Sequence, residues 1–132
     1  MKYLLDTCAW IFLQTAPEKL GQSTLRLIED TNNELLLSVA SVWELSIKIF
    51  SGNLTPPVPL DQFDDYLLER LQTQNIATLG ISVKHAVRAS SLPFHHKDPF
   101  DRMIIAQSEL EDAVIVTNDE NFSRYGVTVI WG

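Results

Sequence analysis

The sequence predicts an α/β fold, a single domain built on a central parallel sheet of four to five strands with helices on both faces. Three observations carry this prediction. Short apolar runs alternate with helical segments along the whole chain. The runs "ELLLSV" and "AVIVTN" are bounded by turn residues and are of strand length. No repeat or low-complexity tract intervenes, and 132 residues is near the commonest size of one domain with one core.

Taken in order, residues 2–5, "KYLL", form a buried strand ending at Asp6, which also suits the N-cap of the helix "TCAWIFLQ". After Pro17, "LGQSTLRLIED" spaces Leu20, Leu25, Leu27 and Ile28 as a helix, which "TNN" ends. The strand "ELLLSV" follows. "SVWELSIKIF" then reads as a helix, with Ser41 at its N-cap and Gly52 just past its end. Pro56, Pro57 and Pro59 stiffen a connection into "LDQFDDYLLERLQ". There Leu60, Phe63, Leu67 and Leu71 make one apolar helical stripe, and Asp61, Asp64, Asp65 and Glu69 mostly face away. "IATL" is a brief strand, and "SVKHAVRASSL" and "DPFDRMIIAQSELE" are helices. "AVIVTN" is a buried strand, "DENFSRY" a short turn or helix, and "VTVIW" a final edge strand.

Composition narrows the class. Hydrophobic residues at 45% and charged residues at 20%, with five Gly and six Pro, are ordinary for a globular chain. The apolar runs are too short to span a bilayer, and "MKYLLDTCAW" has an acid where a signal peptide needs its apolar centre, so a cytoplasmic location is expected. The single cysteine, Cys8, excludes an internal disulfide and suits reducing conditions; its expected place is a small buried hydrophobe. A net charge of -7 argues against a basic nucleic-acid-binding face. The distribution matters more: setting aside Asp6, Glu44, Asp98, Asp101 and Asp119 removes five negative charges from -7 and leaves -2.

Those acids share one end of the predicted sheet. Ligands of open parallel sheets bind beyond the carboxyl ends of the strands. Asp6 follows "KYLL", Asp119 follows "AVIVT", and Glu44 lies about a turn past "LLLSV" among apolar neighbours. In "HHKDPFDRMIIAQ", Asp98 fits an N-cap, Pro99 the first helical position and Asp101 the third, where the helix dipole and free amides favour negative charge. Each acid alone has an ordinary reading: capping for Asp6, Asp98 and Asp101, an ion pair with Lys48 for Glu44, a turn for Asp119. Chance capping does not choose one rim for all of them. Four or five carboxylates in one crevice raise one another's pKa unless a cation compensates. Oxygen ligands without His or Cys at metal spacing select Mg²⁺ or Mn²⁺, and the expected chemistry is phosphodiester hydrolysis by a metal-activated water.

Together these residues resemble the PIN-domain nucleases, in particular the VapC-like toxins of bacterial and archaeal toxin–antitoxin pairs. The resemblance runs through "YLLDTCAW", "SVASVWELSIK", "LPFHHKDPFDRMIIAQ" and "IVTNDENFSRYGVTVIW", nearly the whole chain. It implies a PIN-like domain over residues 1–132 and Asp6, Glu44, Asp101 and Asp119 as the catalytic and metal-holding quartet for Mg²⁺ or Mn²⁺, with Asp6 and Asp101 as direct ligands. It further implies that Thr7 and Thr117 or Asn118 orient carboxylates or waters, with Asp98 beside them. Endoribonuclease activity, homodimerisation and a cognate antitoxin protein are implied as well. The antitoxin docks near the crevice, with the helices holding Trp10, Phe12, Trp43 and Phe50 as contact surfaces where they are exposed. Many relatives with the "DPFDR" block carry His where this chain has Cys8, so no imidazole role is assigned there.

Lys48, Lys97 and Arg102 are near enough in sequence to the acids to contact RNA phosphates; Arg102 has a competing use in pairing with a neighbouring acid. His95 and His96 read as a solvated loop pair. With few basic residues, specificity is expected from RNA shape or unpaired bases. A haloacid-dehalogenase-like phosphatase needs a second aspartate at position 8, which is Cys8, and a receiver domain needs its phosphoacceptor after the third strand. The remaining alternative is a catalytically idle PIN-like module whose acidic pocket recognises a basic partner peptide.

Overall fold

A computed structural model describes residues 1–132. Five strands, β1 (Lys2–Leu5), β2 (Glu34–Ser38), β3 (Ile76–Leu79), β4 (Val114–Val116) and β5 (Val129–Ile130), form one parallel sheet in the order β3-β2-β1-β4-β5. Six helices connect them: α1 (Thr7–Thr15), α2 (Gln22–Glu29), α3 (Val39–Phe50), α4 (Phe63–Thr73), α5 (Val83–Ser91) and α6 (Pro99–Glu111). No helix is long and apolar enough to cross a membrane.

Strand alternation divides the core in two. Leu5, Leu35, Leu37 and Val116 face one layer with Trp10 of α1, Leu45 and Ile49 of α3, and Phe63, Leu67 and Leu71 of α4. Leu4, Leu36 and Ile115 face the other with Ala89 of α5 and Ile104, Ile105 and Ala106 of α6. A sheet covered on both faces needs apolar residues at successive positions, which is why "ELLLSV" and "AVIVTN" carry no alternation.

Some boundaries differ from expectation. The N-cap of α3 is Ser38, whose Oγ accepts from Ala40 N–H at 3.0 Å. The chain passes from strand to helix without a loop, so Ser41 falls inside the first turn, buried. Leu20 ends a 3₁₀ turn (Pro17–Leu20), and α2 begins after Gly21 at φ 82°. A Cβ at Gly21 would stand 2.8 Å from the Gly132 carbonyl oxygen, so both the backbone angle and the space require glycine. Leu60 is exposed in a 3₁₀ turn (Leu60–Gln62) ahead of α4, while the rest of its predicted stripe is buried. "DENFSRY" is a 3₁₀ segment (Glu120–Tyr125) capped by Asp119. Trp10 is buried core rather than a contact surface, and Phe12 is half-buried against Trp131.

The strand order reverses at β1, with β2 and β3 on one side and β4 and β5 on the other. Leu5 of β1 is in register with Val116 of β4 and Leu37 of β2, so the residues that follow these three strands emerge together at the switch point.

Ile104 is fully buried under the sheet, and Val87 lies on the outer face of α5. Ile104→Ala is expected to lower unfolding stability by about 2–5 kcal/mol in urea titrations, whereas Val87→Ala changes it by less than about 0.5 kcal/mol.

Candidate functional site

Backbone turns at the strand ends deliver the acids. Asp6 leaves β1 and caps α1, its Oδ1 accepting from Ala9 N–H at 2.7 Å. Past β4, Thr117 is buried, and its Oγ1 accepts the Asp119 N–H at 3.0 Å. Asp119 Oδ1 accepts from Asn121 N–H at 2.9 Å. Glu44, buried on α3, accepts from Thr7 Oγ1 at 2.7 Å on one oxygen, and its other oxygen lies 3.3 Å from Lys48 Nζ. Asp98 caps α6, accepting from Phe100 N–H at 2.9 Å and Asp101 N–H at 3.4 Å, and Pro99 takes the first helical position. Asp101 sits in that first turn.

These side chains share a crevice of about 460 Å³, lined by Asp6, Thr7, Cys8, Ile11, Glu44, Lys48, Asp98, Asp101, Asn118, Asp119 and Phe122. The four acids of the expected quartet are thus brought together. Lys48 is at the same crevice; Lys97 is exposed outside it. Cys8 is exposed, not a core hydrophobe: it is the second residue of α1, one turn position away from the buried Thr7 and Ala9, and it points into the crevice.

Arg102 corrects a second expectation. It is 6% exposed, and its guanidinium donates to the carbonyls of Ala89, Ser90, Leu92, Pro93 and His96 at 2.8–3.4 Å. It pairs with no acid and is turned away from the crevice, because it follows the crevice-lining Asp101 on α6 and adjacent helical positions diverge by about 100°. Nη1 and Nη2 together close the C-terminus of α5 and the loop beyond.

That loop carries a residue the sequence reading passed over. His96 Nε2 lies 2.9 Å from Asp101 Oδ2 and 3.3 Å from Asp119 Oδ2. The donor atoms of His96, Asp101 and Asp119 all lie within 4.8 Å of one another, a spacing that suits a metal ion. Oxygen donors from Asp6 and Glu44 line the same crevice, so the donor set fits a hard divalent cation. The available signal was the short reach from "HH" to the Asp98 cap, which forces the loop back over the start of α6.

Comparison with known proteins bears on this arrangement. The family model of the PIN domain matches residues 3–127. The chain belongs to the PIN domain family. Ribonuclease VapC16 of Mycobacterium tuberculosis is 33% identical over 72 residues, 53% of this chain and 49% of that protein, so the match spans about half the length of the curated relative. VapBC2 from Rickettsia felis, solved bound to a DNA fragment from its promoter, superposes with a TM-score of 0.74 at 19% identity over the full length of both chains. VapBC-1 from nontypeable Haemophilus influenzae gives 0.68 at 16% identity, covering 98% of this chain and 97% of that one. A toxin–antitoxin complex from Klebsiella pneumoniae gives 0.65 at 17%, covering 97% and 95%. These structures share the PIN fold with this chain.

The electrostatics of this PIN crevice are those of crowded acids. Asp101 is pushed up to about 7, by burial first and then by Asp98, with Glu44 and Asp6 adding and His96 opposing. Asp6 is raised by burial, against the Thr117 and Ala9 hydrogen bonds that lower it, with Asp119 and Glu44 adding. The Cys8 thiol is pushed up by partial desolvation and then by Asp6, with Lys48 opposing.

Two predictions follow from these contacts. Arg102→Lys keeps the charge but leaves most of the five carbonyls without a donor, and is expected to cost roughly 3 kcal/mol or more in urea unfolding. Asp101 holds its proton more tightly folded than unfolded, so its contribution is most favourable below its ordinary 3.8, is lost as pH rises toward about 7 and is level above that. Asp6 acts with the same sign. In EDTA, the stability of wild type relative to Asp101→Asn should therefore fall across that window, leaving the variant the more stable at pH about 8; a variant less stable there would show an unstrained site.

Proposed function

We propose that this PIN-domain chain is a metal-dependent endoribonuclease acting as the toxin of a toxin–antitoxin pair. The observation that carries this reading is the convergence of Asp6, Glu44, Asp101 and Asp119 in one crevice at the switch point of the sheet. Asp6, Glu44, Asp101 and Asp119 are the residues to hold Mg²⁺, with Mn²⁺ an alternative, and Asp6 and Asp101 are the direct ligands in this reading. A bound divalent cation supplies charge to a scissile phosphate and lowers the pKa of an attacking water.

The protein groups do the rest. Thr7 holds Glu44 by one oxygen and leaves the other toward Lys48. Thr117 ties Asp6 to the backbone of Asp119, so the first and fourth acids are oriented by one hydroxyl. Asn118, at the rim, is positioned to orient water, and Asp98 keeps the first turn of α6 formed. Lys48 and Lys97 are the side chains for RNA phosphate contact; Arg102 is no longer among them. The thin supply of cations supports recognition through RNA shape and unpaired bases.

An antitoxin protein and a second copy of the chain are the partners in this reading, in a cytoplasmic setting that suits the free thiol of Cys8 and an RNA substrate. The Klebsiella pneumoniae structure that shares this fold is a toxin–antitoxin complex. On α3, Val39, Trp43, Ile47 and Phe50 form an exposed apolar stripe, with Trp43 62% and Phe50 61% accessible. Beside it an apolar cavity of about 790 Å³ lies between α3 and α4. A monomer rarely leaves such a surface uncovered. This cavity is lined mainly by apolar side chains, with Asp61 and Asp64 as its acids, so it supports a docking role and the acidic crevice a chemical one.

Cleavage of total RNA should require Mg²⁺ or Mn²⁺, stop in EDTA, and fall by roughly a hundredfold or more in Asp6→Asn and Asp101→Asn, beyond what loss of an outer-sphere partner costs. Full activity in both variants would reject the site assignment. No cleavage under any condition would favour a catalytically idle module for a basic peptide, a reading to which the Lys48–Glu44 pair at 3.3 Å lends support. Growth arrest on expression, relieved by the product of an adjacent small gene, tests the toxin role.

A further inference from the structure

His96 is held more firmly than a solvated loop residue needs to be. Its backbone N–H donates to the Tyr125 hydroxyl at 2.7 Å, and that hydroxyl donates onward to the Pro93 carbonyl at 2.8 Å. Its carbonyl accepts from Arg102 Nη1 at 3.2 Å. The ring meets Phe122 edge-on, with centroids 6.0 Å apart. Three separate contacts therefore hold His96 in place, and its imidazole points between Asp101 and Asp119.

The two ring nitrogens have different tasks. Nδ1 lies 3.3 Å from the Asp98 N–H and accepts from it, which puts the proton of the neutral ring on Nε2. Nε2–H then donates to Asp101 Oδ2 at 2.9 Å and Asp119 Oδ2 at 3.3 Å. The reverse tautomer would free Nε2 to bind a cation directly but would set an Nδ1 proton against the Asp98 N–H. Asp101 belongs to α6 and Asp119 to the segment after β4, and the carboxylates repel each other. An N–H donor aimed at both holds their spacing.

We infer that His96 is a positioning residue: its Nε2–H clamps the Asp101 and Asp119 carboxylates at the separation at which they bind a divalent cation. This rests on the metal-binding reading of the crevice. The clamp acts through the acids and not on the ion.

Binding of Mn²⁺ to the full chain tests it, by calorimetry and by electron paramagnetic resonance. His96→Phe keeps a ring against Phe122 and removes the N–H; His96→Gln returns an N–H near the position of Nε2. Mn²⁺ affinity is expected to fall roughly ten- to hundredfold in His96→Phe, the range for outer-sphere partners, and to recover most of the way in His96→Gln, while both melt within a few degrees of wild type. Pulsed resonance on wild type should show no histidine ¹⁴N coupling to Mn²⁺. Wild-type affinity in His96→Phe, or no recovery in His96→Gln, would overturn the clamp. A strong ¹⁴N coupling in wild type would overturn it in favour of direct ligation, a measurement that does not depend on either variant folding. A wild type that binds no Mn²⁺ removes the metal reading itself, and that result precedes any comparison of variants.

Discussion

Ionised carboxylates repel, and this chain brings four of them to one crevice. Everything around the crevice answers that repulsion. Asp6 and Asp98 sit at helix N-termini, where free amides and the helix dipole meet negative charge. Glu44 accepts a hydrogen bond from the Thr7 hydroxyl and stands beside Lys48. Asp119 accepts a backbone amide of the 3₁₀ turn it starts. What these donors leave uncompensated is visible in Asp101, still pushed up to about 7. A fold optimised for stability alone would put an amide or an alkyl group there.

The same logic explains why a positive charge is buried a few ångströms from negative ones without touching them. Arg102 next to Asp101 in sequence is an obvious ion pair, and forming it would neutralise an acid of the crevice. Its guanidinium instead spends its donors on five carbonyls, and so fixes the loop that carries His96. Buried and fully hydrogen-bonded, it acts as a scaffold element. The adjacent pair of residues thus separates two jobs, one facing the crevice and one holding the wall behind it.

How much of this was legible in the sequence follows from the range of the interactions. The sheet and its helices were readable because strand residues between two helical layers must be apolar in sequence, and "ELLLSV" and "AVIVTN" are. The convergence of the acids was readable because Asp6 and Asp119 follow strands, Asp101 lies in the first turn of a helix capped by Asp98, and Glu44 lies early in the helix after β2, which are local signals. Ser41 reads as the cap from sequence and Ser38 takes that place, because the direct strand-to-helix passage leaves no loop to mark the boundary. The directions of Cys8, Arg102 and His96 depend on which way a single residue faces on a helix or a folded loop. Adjacent positions on α6 diverge by about 100°, so proximity in sequence to Asp101 said nothing of where Arg102 points. His96 required knowing that the "HHKD" loop folds back over α6, a contact set by Arg102 and Tyr125 from outside that segment.

The central place of β1 has a consequence for the birth of the molecule. β1, which leads into Asp6, is made before its neighbour β4, with more than a hundred residues of chain between them. At roughly 5–20 residues per second, several seconds separate the two on a translating ribosome. Until β4 and the residues after it have left the exit tunnel, the first and fourth carboxylates have no common address, so the acidic crevice does not exist on a nascent copy.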